Sequence, residues 1–600
     1  MLGTRYPGLL ACLLASLTIT LPALADEDDT HGPGSGHRIR VIELRGAYSD
    51  HPVDAGFDPT SLLLGGPQQQ RSFYRLCNKI DEIAATEDFD GIFLDLSSPF
   101  SMNLAQVSEL RRHIDGLQDV GIDAYAWLEG GSTLSYAIAA SCDTILMADF
   151  SMLDLPSLAM STLHFKDAMD LFGVRASVAR AGDFKGAVEP YTRSRISEPL
   201  ANHYKMMLTT MNDHLVEGIA SGRLLDPSDI RDAQAERMLT ATAAKEAGLV
   251  DHLTPFGSER RAVEELLDKK VHWTEPRKAK RKQTNFFEMM SQIFAGPGQQ
   301  KTKKPTVAVL HLAGAIVDGE KPAGGSVVSG PTVTEIEHLR KDDNIKGVVL
   351  RVNSPGGSAT ASEAIRNALE RLVKDKPVVV SMGNMAASGG YWVSCLGRPI
   401  FAEPTTITGS IGVFSMKLNF GTLLDRVGIK VNNICLDESA SAMGIDRAWT
   451  DREIAKIEEG IAETYTRFLR LVASSRQLPL DRVTPLAGGR VWSGSQAWAF
   501  GLVDRLGGLD TALAAVAEEA KLEKGYPVLH YPRKRPLGDM LGILGGGDDD
   551  VVSTPLGGVA LRLLQEAGFD LRPYVDLLQR SLRDPRPRMW LLSPEQINVR

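Results

Sequence analysis

Gly91-Ile-Phe-Leu-Asp-Leu-Ser-Ser-Pro99 and Gly347-Val-Val-Leu-Arg-Val-Asn-Ser-Pro355 write one pattern twice, 256 residues apart. Each is a short apolar run closed by Ser-Pro, the form of a buried strand at the point where the chain turns away. The echo continues outward. Tyr136 matches Tyr391 and Ile145 matches Ile400 at an offset of 255, and Leu171-Phe-Gly-Val174 answers Arg426-Val-Gly-Ile429 at the same offset. Gly248-Leu-Val-Asp251 returns as Gly501-Leu-Val-Asp504 at an offset of 253. So constant an offset over about 160 residues is the mark of a duplicated domain. Two homologous repeats are expected, over 39–255 and 305–520, which also accounts for a chain of 600 residues, more than one core usually organises.

Within the second repeat, Gly347–Val352 reads as a buried strand, Ala359–Lys374 as a helix of 3.6-residue period, and Pro377–Ser381 as a further short strand. Strand, helix, strand is a βαβ unit, which requires parallel strands and a right-handed crossover. The expected fold class is therefore α/β, two tandem repeats, each a mostly parallel sheet with flanking helices. In such sheets ligands sit at the carboxyl ends of the strands.

The composition narrows the chemistry. A formal net charge of −9 argues against nucleic acid as a partner. Five cysteines are too few for a disulfide scaffold, and no C-x-x-C, H-E-x-x-H or Walker-type loop occurs, so neither a metal nor a nucleotide cofactor has sequence support. Residues 1–25 read as an export signal: Arg5, an apolar run Gly8–Leu21, then Ala23-Leu24-Ala25. The run falls short of the ~20 residues of a spanning helix; a retained short anchor is the alternative. Cys12 lies inside the run rather than after it, unlike a lipoprotein cysteine. Cleavage would leave Cys77, Cys142, Cys395 and Cys435, whose pairing spacing does not decide. The rest of the chain reads as soluble and extracytoplasmic. Residues 256–304 read as a basic linker, with Arg277, Lys278, Lys280, Arg281 and Lys282 ahead of an apolar stretch, Asn285–Phe294, that suits a membrane surface or an interdomain contact. Residues 521–600 form an extension with little readable structure.

Two segments fall at strand ends. In Asn353-Ser-Pro-Gly-Gly-Ser358, adjacent glycines between a strand and a helix allow close backbone approach and present N–H groups where an oxyanion would develop; a plain Pro-Gly turn has the same sequence. In Gly383-Asn-Met-Ala-Ala-Ser-Gly-Gly-Tyr-Trp392, Ser388 stands among small residues at a helix start, placed as a nucleophile or as a simple cap. A serine nucleophile needs a base. His311, His338 and His530 are the histidines of residues 305–600, and none falls at an expected strand end; a lysine made neutral by desolvation serves instead. The offset of 255 places Thr133 opposite Ser388 and Ala440 opposite Lys185. One repeat keeps the serine and the other the lysine, as expected if one active site is shared between them; otherwise Lys185 is one surface lysine among many.

Phe184-Lys-Gly-Ala-Val-Glu-Pro190, Asn353–Gly357, Met385-Ala-Ala-Ser-Gly-Gly-Tyr-Trp392, Thr408-Gly-Ser-Ile-Gly412 and Gly489-Arg-Val-Trp492, in this order across both repeats, resemble the long, duplicated form of the signal peptide peptidase A family. The resemblance implies a Clp-protease/crotonase fold and a Ser-Lys dyad that degrades spent signal peptides and other short apolar peptides at the periplasmic face of the inner membrane. It makes Ser388 the nucleophile, Lys185 the general base, Ser410 the residue that orients the lysine, and Gly356 and Gly357 the oxyanion hole. It implies no cofactor, and a homotetramer at the membrane surface. The sequence departs from the family at its cleavable-looking leader, at Asn384 where glycine is usual, and over 521–600. An acyl-CoA enzyme of crotonase type and an inactive membrane-associated scaffold are the other readings.

Overall fold

The computed structural model describes residues 36–50, 70–86, 88–275, 304–533 and 590–592. The duplication is visible in its hydrogen bonds. Tyr136 donates its hydroxyl to Leu249 O (2.7 Å) in the first repeat, and Tyr391 does the same to Leu502 O (2.8 Å) in the second. Asp251 accepts from Ile145 N and pairs with Arg223; Asp504 accepts from Ile400 N and pairs with Arg476. These contacts tie each helix–turn segment to the end of a neighbouring strand in the same way twice.

The first repeat forms a six-stranded parallel sheet in the order His252–Thr254, Thr144–Ala148, Asp123–Leu128, Gly91–Asp95, His37–Glu43, Val271–Thr274. In the second, the central path runs Val491–Ser493, Ile407–Gly409, Val378–Ala387, Ile345–Ser354, Thr306–Ala313, Val528–Tyr531, parallel except at the Val491–Ser493 edge. The central strands are buried on both faces, which is why their sequences are continuous apolar runs rather than alternating ones.

Three differences from the sequence reading have physical causes. The stretch expected as linker from residue 256 holds the helix Glu259–Leu267 and the strand Val271–Thr274, whose apolar residues cover the outer edge of the first sheet beside His37–Arg40. The stretch after 520, where the sequence carries little readable structure, supplies Val528–Tyr531, which does the same beside Val307–Leu310. The strand expected over Pro377–Ser381 runs on to Ala387, because Met382 to Ala387 are small or apolar enough to stay inside the sheet. The basic run 277–282, Asn285–Phe294, the leader and Cys12 lie outside the described residues. None of the described helices is long and apolar enough to cross a membrane. Cys77, Cys142 and Cys395 are buried free thiols and Cys435 an exposed one, and burial pushes the Cys395 thiol up to about 12.

A buried ionic joint locks the repeats together. Arg351, 2% exposed, donates from Nε to Asp50 (2.8 Å) and from Nη1 to Ser381 Oγ, with Glu109 at 3.5 Å. Arg112 forms a bidentate pair with the fully buried Glu403 (2.7 and 2.6 Å) and also reaches Asp510. Glu109 Oε1 accepts from Leu509 N (2.8 Å). Bidentate geometry makes the Arg112–Glu403 pair tolerable, while Glu109 Oε2 and Arg112 Nε are buried without a hydrogen-bond partner. Burial nonetheless raises the Glu109 carboxyl from 4.5 to about 7 against the pull of Arg351. A carboxyl whose pKa is raised on folding contributes stability that is complete below pH 4.5 and lost as the pH rises through about 7. Glu109→Gln should therefore flatten the pH dependence of stability in that window, by about 3 kcal/mol between its ends. Chemical denaturation at pH 4.5 and 7.5 checks this; an unchanged slope would mean Glu109 is ionised throughout.

Candidate active site

One sheet is built from both repeats. The strand Arg175–Ala181 of the first pairs antiparallel with Val413–Asn419 of the second, from Arg175 opposite Asn419 to Ala181 opposite Val413. The residues just after the former and just before the latter are thereby brought together: Lys185 four positions beyond Ala181, and Ser410 three before Val413.

Ser388 arrives from the other side. The strand Val378–Ala387 delivers it to the start of the helix Gly389–Ser394, where its N–H donates to Gly409 O (2.8 Å) and its C=O accepts from Trp392 N. Its backbone sits at φ 55°, ψ −111° and that of Ser410 at φ 50°, a region costly for residues with a side chain. Strained backbone of this kind is retained where the surroundings over-determine it. Small neighbours make the turn possible: a Cβ on Gly389 would lie 2.7 Å from Ser362 Oγ and 3.1 Å from Gly357 N, so the helix start can meet the glycine turn only as glycine.

Lys185 Nζ lies 2.7 Å from Ser388 Oγ and 3.0 Å from both the carbonyl and the hydroxyl oxygen of Ser410. All three residues are at most 1% exposed. The lysine loop is held from its flanks. Phe184 packs against His203 with the rings tilted by 59° and lies under the Arg490 guanidinium, which is 3.8 Å from its ring centre, and Phe184 N donates to Gly488 O. His203 in turn lies 2.8 Å from Val491 O through Nε2. Gly489 adopts φ +83°, and a Cβ there would fall 2.5 Å from Lys185 N. The Gly489–Trp492 motif is thus the wall against which the lysine loop packs.

The glycine turn divides its roles. Gly356 N donates to Ser354 Oγ (3.1 Å), which departs from the expectation that both glycines present free N–H groups. Gly357 remains the candidate of the pair. A second donor escaped the sequence reading: Gly389, immediately after Ser388, occupies the first helical position, where a backbone N–H has no intrahelical acceptor. The signal was present in the helix start itself. Thr133, the counterpart of Ser388, is buried at the start of Thr133–Ala139 with its hydroxyl donated to Pro156 O (2.9 Å); Ala440, the counterpart of Lys185, lies in an exposed turn, Glu438–Ser441. Of the histidines, His311 and His530 face each other at 2.8 Å on adjacent strands, and His338 lies on the helix Ser329–Lys341.

Comparison with known proteins agrees with this architecture. The chain matches peptidase family S49 over residues 117–271 and 370–523, and Clp protease over 326–406. It is 30% identical to Protease 4 of Salmonella typhi over 84% of this chain and 78% of that protein. It is 33% identical to Protease 4 of Haemophilus influenzae over 70% of this chain and 69% of that one. With the chloroplastic serine protease SPPA of Arabidopsis thaliana the identity is 26%, over 86% and 74%.

The close approach at Gly489 gives a direct test. Gly489→Ala places a side chain in a left-handed conformation and against the lysine backbone, and should cost about 1–3 kcal/mol. Thermal denaturation checks it; an unchanged midpoint would mean that the loop does not pack there.

Proposed function

Because this chain is a serine peptidase belonging to family S49, we propose that Ser388 and Lys185 form its catalytic dyad and that its substrates are short apolar peptides, spent signal peptides among them. The 2.7 Å approach of Lys185 Nζ to Ser388 Oγ in a buried pocket carries this reading. A hydroxyl becomes a useful nucleophile when a base within hydrogen-bond reach removes its proton, and an amine serves once it is unprotonated.

In the proposed reaction, Ser388 Oγ attacks the scissile carbonyl as the Lys185 amine takes its proton. Negative charge gathers on the carbonyl oxygen, where the N–H groups of Gly357 and Gly389 stabilise it; preorganised donors of this kind contribute about 3–4 kcal/mol each. The tetrahedral adduct collapses as the lysine returns the proton to the leaving amine, and an acyl-serine forms. Water then repeats the sequence and frees the serine. Ser410 positions the amine through its carbonyl and hydroxyl oxygens, and Gly356, tied to Ser354, keeps the turn in shape.

The substrate class is supported by the frame of the cleft. The strands Gly356–Ser358 and Val413–Asn419 flank one slot, and an extended segment, Trp590–Leu592, pairs antiparallel with both. A slot that pairs through backbone groups takes extended peptides. The leader, once at the membrane, would set the site on the periplasmic face, near the apolar peptides that export leaves behind; the homotetramer of the resembled family would enclose several such sites. An inactive scaffold retaining the fold is the reading to exclude.

Ser388→Ala and Lys185→Ala should each lower kcat for a fluorogenic apolar peptide by about 10³-fold or more while leaving the circular dichroism spectrum unchanged. Because the base acts unprotonated, kcat/KM should fall as the pH is lowered. Undiminished cleavage by either variant would remove the dyad.

A further inference from the structure

Beside the ionic joint between the repeats lies a cavity of about 620 Å³ that the proposed reaction does not use. Two side-chain atoms of its lining residues are buried without a hydrogen-bond partner, Glu109 Oε2 and His113 Nε2. The two residues are 3% and 8% exposed. Both stand on the helix Leu104–Asp119, four positions apart and so on one face. Asp510, in the first turn of the helix Leu509–Glu519 of the second repeat, completes a cluster. One donor atom from each of the three lies within 4.8 Å of the other two. Glu109 Oε1 is taken by Leu509 N, and Oε2 has Arg351 Nη2 at 3.5 Å, beyond an ordinary hydrogen bond. Asp510 gives Oδ1 to Arg112 (3.1 Å) and has a second oxygen for an ion.

His113 is already oriented for a ligand. Its Nδ1 lies 2.5 Å from Asp81 Oδ1, and a carboxylate accepts rather than donates. In the neutral ring the proton therefore sits on Nδ1, and Nε2 keeps a free lone pair. A carboxylate behind the far nitrogen is the usual support of a metal-binding histidine. Charge favours a cation as well. The lining carries four carboxylates, Asp50, Asp81, Glu109 and Asp510, against Arg351 and Lys524, while Arg112 beside it is matched by the buried Glu403.

The geometry points to a metal site: Glu109, His113 and Asp510 bind one divalent ion of the zinc type and clamp the two repeats across their joint. One imidazole and two carboxylates suit zinc and its neighbours, whereas magnesium takes oxygen donors. Zinc holds such atoms about 2.1 Å away, hence about 3.4 Å apart in a tetrahedron. Closing from 4.8 Å or less takes side-chain movements of about an ångström. The fourth position is left for water. No sequence pattern announces this site, because Asp510 stands roughly 400 residues beyond Glu109 and His113. None of the three residues takes part in the proposed peptidase chemistry, and the site stands without it.

The test uses the full chain without an affinity tag, stripped with EDTA and desalted at a pH where histidine is neutral. Isothermal titration with zinc chloride alone should show a saturable site that His113 controls. His113→Asn keeps a donor toward Asp81 but removes Nε2. It should weaken that binding about 100-fold or more, and Asp81→Asn, which frees the ring, about 10–100-fold. Asp510→Asn should cause the same loss as His113→Asn, and replaces it as the test if His113→Asn lacks the native circular dichroism spectrum. Zinc should also raise the thermal midpoint of the unaltered chain by about 3 °C or more and leave that of His113→Asn in place. Magnesium at the same concentration should move neither. Absence of saturable zinc binding, or equal binding by the unaltered chain and the ligand variants, would overturn the site. An equal rise with magnesium would overturn the part given to the imidazole.

Discussion

The antiparallel pairing of Arg175–Ala181 with Val413–Asn419 is the constraint from which the rest of the site follows. Seven residue pairs of ladder hold one strand of each repeat at a fixed register. The chain leaves one strand toward Lys185 and enters the other from Ser410, so the register itself decides that these two side chains share a pocket. A slip of one residue would turn every side chain on these strands to the opposite face. The buried pairs of Arg351 with Asp50 and of Arg112 with Glu403 hold the same two bodies from another side. Removing one partner of such a pair strands a buried charge, so the joint tolerates little relative movement.

Division of one site between two copies of a fold has a physical logic. Lys185 is almost fully buried, and a buried amine needs polar partners. Ser410 supplies two oxygens and Ser388 a third, all from the second repeat. The first repeat keeps a polar residue, Thr133, at the corresponding helix start, but its hydroxyl is taken up by Pro156 O. Nothing then requires a lysine opposite it, and Ala440 stands in an exposed turn. Each repeat retains the half of the machinery that the contact between repeats can use.

Much of this was legible in the residues. The offset near 255 exposed the duplication because paired structural contacts, such as Tyr136 with Leu249 and Tyr391 with Leu502, constrain residues at equal spacing in both copies. Small residues around Ser388 exposed the tight turn because larger ones do not fit between Ser362 and the glycine turn. The edge strands Val271–Thr274 and Val528–Tyr531 escaped notice because they are short and only partly buried, so their patterns resemble those of loops. Gly356 was read as a donor since the Gly-Gly sequence offers two N–H groups; that one is taken by Ser354 Oγ depends on a side-chain rotamer. The tail strand left no periodic trace, being three residues long.

The sequence by itself determined the duplication, the α/β class, and which residue types stand at strand ends, because local periodicity and spacing are properties of the chain. Only the tertiary structure decided that Lys185 lies 2.7 Å from Ser388, a residue 203 positions away, and that the apolar tail reaches the strand of Gly357. Those meetings depend on how two folded bodies dock and pair their edges, and docking is set by surfaces that exist only after each repeat has folded.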